Sequence, residues 1–143
     1  MISHSLAETK KLAEEFSKDL IIKGRGNKST LIGLYGDLGS GKTAFVQAAA
    51  KIFGVNEIVS PTFIIEKIYK TKSDIFETLI HVDAYRLESG KDLIRLGFDE
   101  VLKNPKSLIF LEWPERVAEI LPDHIRVMCE FVSEKERKYE IIF

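Results

Sequence analysis

Gly36-Asp37-Leu38-Gly39-Ser40-Gly41-Lys42-Thr43 decides the fold of this chain. The spacing Gly36-x-x-x-x-Gly41-Lys42-Thr43, with a further glycine at Gly39, is that of a phosphate-binding loop (P-loop). Glycines let the backbone bend so that successive N–H groups point inward at phosphate oxygens. Lys42 brings a mobile positive charge for the β- and γ-phosphates, and the Thr43 hydroxyl suits Mg²⁺. The N-terminus of the helix that follows favours the anion. A structural glycine turn can match so short a pattern by chance, so the flanks matter. Thr30-Leu31-Ile32-Gly33-Leu34-Tyr35, directly before, is an apolar run of strand length. Ala44 to Phe53, directly after, reads as a helix closed by Gly54. All eight residues from Gly36 to Thr43 are therefore expected nucleotide contacts.

Working outward, the remaining elements alternate between helix and strand. Ser5 and Glu8 make a capping-box start, after which Leu6, Ala13, Phe16 and Leu20 recur at helical spacing until Gly24. Phe63 to Tyr69 and Thr78 to Val82 read as two strands of a hairpin. Asp92 to Leu102 reads as one or two short helices broken at Gly97, and Ser107 to Leu111 as a buried strand. Pro114 to Ile120 starts with proline, which a first helical turn tolerates. Ile125 to Val132 and Lys138 to Phe143 flank a charged turn and suggest a terminal hairpin. No repeat, low-complexity tract or linker interrupts this order. The expected fold is α/β, a P-loop NTPase-like three-layer sandwich around a mostly parallel central sheet with a C-terminal β-hairpin, in one domain over residues 1–143.

A P-loop NTPase also needs an acid to hold Mg²⁺ or its water, usually at the end of a neighbouring apolar strand. Two are available. Asp83 follows Thr78-Leu79-Ile80-His81-Val82, and Glu112 follows Leu108-Ile109-Phe110-Leu111. One would coordinate the metal while the other orients the attacking water or completes the second shell; taken singly, each can also be a plain loop cap. Between the P-loop and Asp83 lies Ser60-Pro61-Thr62-Phe63, where Thr62 either addresses a γ-phosphate as a switch residue or simply enters a strand. His81, two residues before Asp83 and so on the same strand face, either orients that acid or is a satisfied core histidine. Arg86 is a charge stabiliser at the phosphates or half of a salt bridge. Trp113, the single tryptophan, packs in the core or covers the nucleotide or a partner surface.

Several function classes drop out. Lys and Arg number 21 against 22 Asp and Glu, so binding nucleic acid by bulk phosphate neutralisation is not indicated, although a local basic patch remains open. Cys129 is the single cysteine, which rules out an intrachain disulfide and a cysteine-based zinc site. No targeting signal or run of about 20 apolar residues is visible, so a cytoplasmic protein without a membrane partner is expected. No Asn-Lys-x-Asp tetrapeptide reads guanine; Lys103-Asn104-Pro105-Lys106 is nearest and lacks the acid, which favours ATP. A kinase lid is poorly supported, because only Arg95 lies between Arg86 and Arg116.

Four motifs in order, Gly36 to Thr43, Ser60-Pro61-Thr62-Phe63, His81-Val82-Asp83-Ala84-Tyr85-Arg86-Leu87 and Leu111-Glu112-Trp113-Pro114-Glu115, resemble the TsaE (YjeE) family over nearly the whole chain. Phe63 stands where that family often shows tyrosine. The resemblance implies a bacterial Mg²⁺-dependent ATPase that works with TsaB and TsaD. Together these form threonylcarbamoyladenosine at position 37 of tRNAs that read ANN codons, with tRNA met mainly through the partners. It further implies that Lys42 binds phosphates, Thr43 and Glu112 ligate magnesium, Asp83 assists hydrolysis and Thr62 lies in the switch segment. Trp113 would face the partner beside the active site, and the N-terminal helix around Ser5 and Thr9 would contribute to the adenine pocket. The competing readings are a P-loop small-molecule kinase and a non-catalytic nucleotide-dependent interaction switch.

Overall fold

The computed structural model describes residues 1–58 and 65–143. In chain order the elements are β1 (Ile2–Ser3), α1 (Leu6–Lys23), β2 (Thr30–Tyr35), α2 (Lys42–Ile52), β3 (Glu66–Lys70) and β4 (Thr78–Asp83). They continue with α3 (Gly90–Ile94), α4 (Phe98–Lys103), β5 (Ser107–Glu112), a 3₁₀ helix (Pro114–Ile120), β6 (Ile125–Phe131) and β7 (Arg137–Ile142). Among the described residues the strands form one sheet in the order β1-β7-β6-β2-β5-β4-β3. The four central strands β6, β2, β5 and β4 run parallel. Both edges are antiparallel: β3 on β4, β7 on β6 and β1 on β7.

Burial explains this arrangement. Every residue of β5 is buried, and β2 and β4 are buried at their four inner positions. Such near-continuous apolar strands are stable only with both faces covered. One face carries α1 and α2, where Phe16, Phe45, Ala49 and Phe53 pack on Ile32, Leu34, Leu79, Phe110 and Val127. The other carries α3, α4 and the 3₁₀ helix, where Leu93, Phe98 and Val117 meet Leu31, Ile80, Val82, Ile109 and Leu111. This is the expected three-layer α/β sandwich, and both expected hairpins form. In β6 burial alternates instead, because the second helical layer stops short of it.

Local signals account for most boundaries. The Ser5 hydroxyl accepts the Glu8 N–H at 3.2 Å, while the Glu8 carboxylate accepts from His4 N–H at 2.8 Å, one residue earlier than in a standard capping box. Gly24 ends α1 with φ 73°. Ser17 Oγ docks α1 on α2 by reaching the carbonyls of Ala13 (2.8 Å) and Ala49 (3.2 Å).

Some expectations need correction. Leu6 is 75% exposed rather than part of the core stripe. The segment after Trp113 is a 3₁₀ coil kinked at Val117, not a regular helix; short segments often take this tighter form. β1 was not anticipated, since two residues carry no periodicity; Ile2 and Ser3 are specified by their partners Lys138 and Arg137. Of the expected strand from Phe63 to Tyr69, β3 begins at Glu66, and positions 63 and 64 lie outside the described residues. Among the described residues no helix is long and apolar enough to cross a membrane.

Candidate nucleotide site

The loop from Gly36 to Gly41 joins the end of β2 to the start of α2, as its glycines require. Gly36 has φ 142°, and a Cβ there would collide with the Cys129 carbonyl and Ser40 Oγ. Gly41 has φ 98° and precedes α2 directly, with Tyr139 Oη against the place a Cβ would occupy. At both positions only glycine combines the left-handed backbone with the close approach. Lys42 is 5% exposed, and its Nζ donates to the carbonyls of Gly36 and Asp37, the latter at 2.9 Å. The Trp113 ring lies 4.1 Å from the same Nζ, a cation–π contact. Burial pushes the Lys42 pKa down, and Glu112, Cys129, Glu115 and Asp83 oppose that shift.

The two acids arrive from neighbouring parallel strands. Asp83 and Glu112 are register partners at the carboxyl ends of β4 and β5. They share the sheet face on which α2 lies, because His81 pairs with Phe110, a residue of the α1–α2 core. Thr43 Oγ1 donates to Glu112 at 2.9 Å (Oε1) and 3.2 Å (Oε2). Glu112 is only 4% exposed, so its charge needs these partners. His81, fully buried, is the other one: its Nε2 lies 2.5 Å from Glu112 Oε2, the ring nitrogen donating to the carboxylate. His81 Nδ1 has no partner among the described residues. His81 thus orients an acid, but not Asp83 on its own strand as expected: cross-strand pairing of β4 with β5 sets its ring on Glu112. Asp83 is half-buried, and its Oδ1 accepts the Tyr85 N–H at 3.0 Å. Burial raises the Asp83 pKa; the Tyr85 hydrogen bond opposes this, Glu112 adds to it, and His81 and Lys42 counter it.

This donor set suits a hard cation held partly by phosphate. No group of three or more His, Cys, Asp or Glu side chains among the described residues makes a self-sufficient metal site. Mg²⁺ needs none, since it usually keeps several waters and takes one or two carboxylates plus substrate phosphates. A hydroxyl and a carboxylate side by side, next to a lysine and a ring of backbone N–H groups, match that requirement.

The terminal hairpin contributes what sequence reasoning missed. Arg137 Nε donates to the Gly39 carbonyl at 3.1 Å, and Tyr139 Oη to the Gly41 carbonyl at 3.3 Å. Arg137, Tyr139, Leu6 and Thr9 line a cavity of about 360 Å³ that opens beside Gly41 and Ala44. No local signal could have found Arg137 and Tyr139, because their contacts span 98 positions of sequence, whereas the start of α1 around Thr9 was expected beside the nucleotide. Trp113 covers Lys42 with one edge of a surface cluster: Tyr85 lies 5.0 Å from it and the Arg116 guanidinium 5.5 Å from Tyr85. Thr62, with its switch segment, lies outside the described residues.

Comparison with known proteins agrees with this geometry. The family described as "Threonylcarbamoyl adenosine biosynthesis protein TsaE" matches residues 3–140. The Rickettsia felis protein named tRNA threonylcarbamoyladenosine biosynthesis protein TsaE is 38% identical over 145 residues, covering 99% of this chain and 78% of that relative. The Streptomyces coelicolor protein of the same name is 38% identical over 103 residues, 70% of this chain and 68% of the relative. Among solved structures, Bacillus subtilis YdiB superposes with a TM-score of 0.73 at 27% identity, covering 97% of this chain and 80% of that one. This chain belongs to the TsaE family of tRNA threonylcarbamoyladenosine biosynthesis.

Proposed function

We propose that this chain is a single-domain, Mg²⁺-dependent ATPase. It acts as the accessory subunit of a TsaB–TsaD–TsaE assembly that forms threonylcarbamoyladenosine at position 37 of tRNAs reading ANN codons. One observation carries the reading: Thr43 and Glu112 hydrogen-bond beside Lys42, with Asp83 the register partner of Glu112. Lys42 and the backbone N–H groups of Gly36 to Thr43 would hold the phosphates. Thr43 and Glu112 would hold Mg²⁺, which when bound neutralises charge on the phosphoryl oxygens. Asp83 would orient the attacking water, and Thr62 would report the γ-phosphate. The nucleoside fits the cavity beside Gly41, where Leu6 and Tyr139 offer apolar walls and Thr9 a polar group. A cytoplasmic location follows from this role.

A kinase reading finds little support in the arginines a lid would need. Arg95, the single arginine between Arg86 and Arg116, is exposed and lies 3.8 Å from Asp92, an i,i+3 pair on the surface. The deciding measurement is ATP hydrolysis by the purified chain, alone and with TsaB and TsaD, with Lys42→Ala as blank. Weak activity that rises several-fold with the partners is expected. Activity indifferent to them would point to an acceptor kinase, and none in any mixture to a silent switch.

A further inference from the structure

The chain's charges nearly balance, 21 Lys and Arg against 22 Asp and Glu, but they are unevenly placed. Three connections meet at the end of the sheet opposite the P-loop: residues 23–28 after α1, 70–77 between β3 and β4, and 103–106 before β5. Backbone contacts tie them together. Ser29 donates to the Leu102 carbonyl through its N–H (3.1 Å) and its hydroxyl (2.8 Å), and Glu77 N–H donates to Lys106 O at 2.8 Å. The Lys72 N–H donates to Phe53 O at 2.9 Å, which brings the end of α2, with Lys51, to the same place.

The three segments hold seven Lys and Arg and only two acids, Asp74 and Glu77. Asp123, on the connection into β6, is a further acid at this end. Arg25, Lys70 and Lys106 line one cavity of about 540 Å³, which Asp74 and Glu77 also line. The ion pair between Lys106 and Glu77, at 3.8 Å, has both side chains more than half exposed and offsets little. The remainder of the chain is net acidic, so this end is a positive pole on a near-neutral protein.

The kind of partner follows from what the pole lacks. No exposed large hydrophobic residue falls within these three segments; Ile22, Ile142 and Phe143 are exposed only at the rim, where Phe143 lies 5.5 Å from Lys23 Nζ. A protein partner usually requires an apolar or aromatic interface core; a phosphate backbone requires only dense cations and polar groups. We propose that this pole binds the phosphate backbone of folded RNA, with tRNA as the RNA of this pathway. The proposal rests on the tRNA-modification reading. It is independent of the ATPase site, which lies at the opposite end of the parallel strands, so nucleotide and RNA can be held together. Recognition is through phosphates, so affinity falls steeply with salt and depends little on base sequence.

The test is fluorescence anisotropy with an unmodified tRNA transcript, titrated with the full chain at about 50 and 200 mM salt. One variant combines Lys70→Glu, Lys72→Glu and Lys106→Glu. Its control combines Lys10→Glu, Lys11→Glu and Lys91→Glu, exposed lysines elsewhere on the surface. The expected result is wild-type binding that weakens with salt. The first variant loses about tenfold or more in affinity, and its salt slope falls by about two to three. The control should lose much less, and partner-stimulated ATP hydrolysis should be unchanged in the first variant. Wild-type chain that hydrolyses ATP with its partners yet ignores tRNA overturns this inference and leaves the ATPase reading standing. Cation-dependent tRNA binding without hydrolysis does the reverse. Equal losses in both variants overturn it by showing a bulk charge effect. Lost partner stimulation with tRNA affinity intact overturns it by assigning the pole to an acidic protein face.

Discussion

Glu112 and Asp83 are neighbours with different surroundings, and this separates what each can do. Glu112 is buried, bonded by Thr43 and His81, and held in one orientation. Asp83 is half-buried, with the Tyr85 N–H on one oxygen, and so is less enclosed than Glu112. Glu112→Gln and Asp83→Asn are each expected to lower kcat by about 100-fold or more, the usual scale for a positioned acid or base. Of the two, Glu112→Gln should also raise the Mg²⁺ concentration for half-maximal rate. Unchanged hydrolysis in both variants would remove the site assignment. Asp83 adds a pH signature. Its folded pKa is raised by burial, so the folded state holds this proton more tightly than the unfolded one. Such a group contributes stability below its unfolded pKa, and that contribution is lost as pH rises through the folded pKa. Asp83→Asn cannot ionise, and should therefore raise Tm at neutral pH and leave it unchanged near about pH 3. Thermal melts at the two pH values check this.

Helix α1 stabilises the site without reaching the phosphates. It packs on α2 through Phe16 against Phe45, ring centroids 5.6 Å apart, and through Ser17. The start of α2 is Lys42 itself, so a loosened α1 transmits to the phosphate loop. Ser5→Ala removes the N-cap bond to Glu8 and should cost about 1 kcal/mol in urea unfolding. A loss much larger than that would mean that Ser5 does more than cap. The hairpin of β6 and β7 acts similarly from the other side: Cys129 O confines Gly36, and Arg137 and Tyr139 hold the carbonyls of Gly39 and Gly41. The phosphate loop is thus braced between an N-terminal helix and a C-terminal hairpin.

The complete sandwich gives Cys129 its character. Its thiol is 6% exposed within the core between β6 and α2, and burial pushes its pKa up to about 12. A thiol so protonated reacts slowly, because the thiolate is the nucleophile. Alkylation at neutral pH should be negligible in the native chain and complete in denaturant; rapid labelling of native protein would show that this core opens. Much of the architecture was legible because its signals are local. The P-loop glycines, the Ser5 cap, Gly24, and the apolar runs of β2, β4 and β5 act over a few residues, and each has one favourable backbone solution. The two acids were legible because strand-end position after an apolar run is a sequence property. Other features exist only where distant segments meet. The pairing of β1 with β7, the His81–Glu112 contact, Arg137 on the Gly39 carbonyl and the clustering of cations opposite the P-loop all join residues far apart in the chain. Sequence by itself therefore determined most of the elements, the phosphate loop and the family, since backbone preference and hydrophobic period are encoded residue by residue. Which side chains brace that loop, orient Glu112 and gather into a positive pole was decided by sheet order and register, which bring together segments that share no local signal.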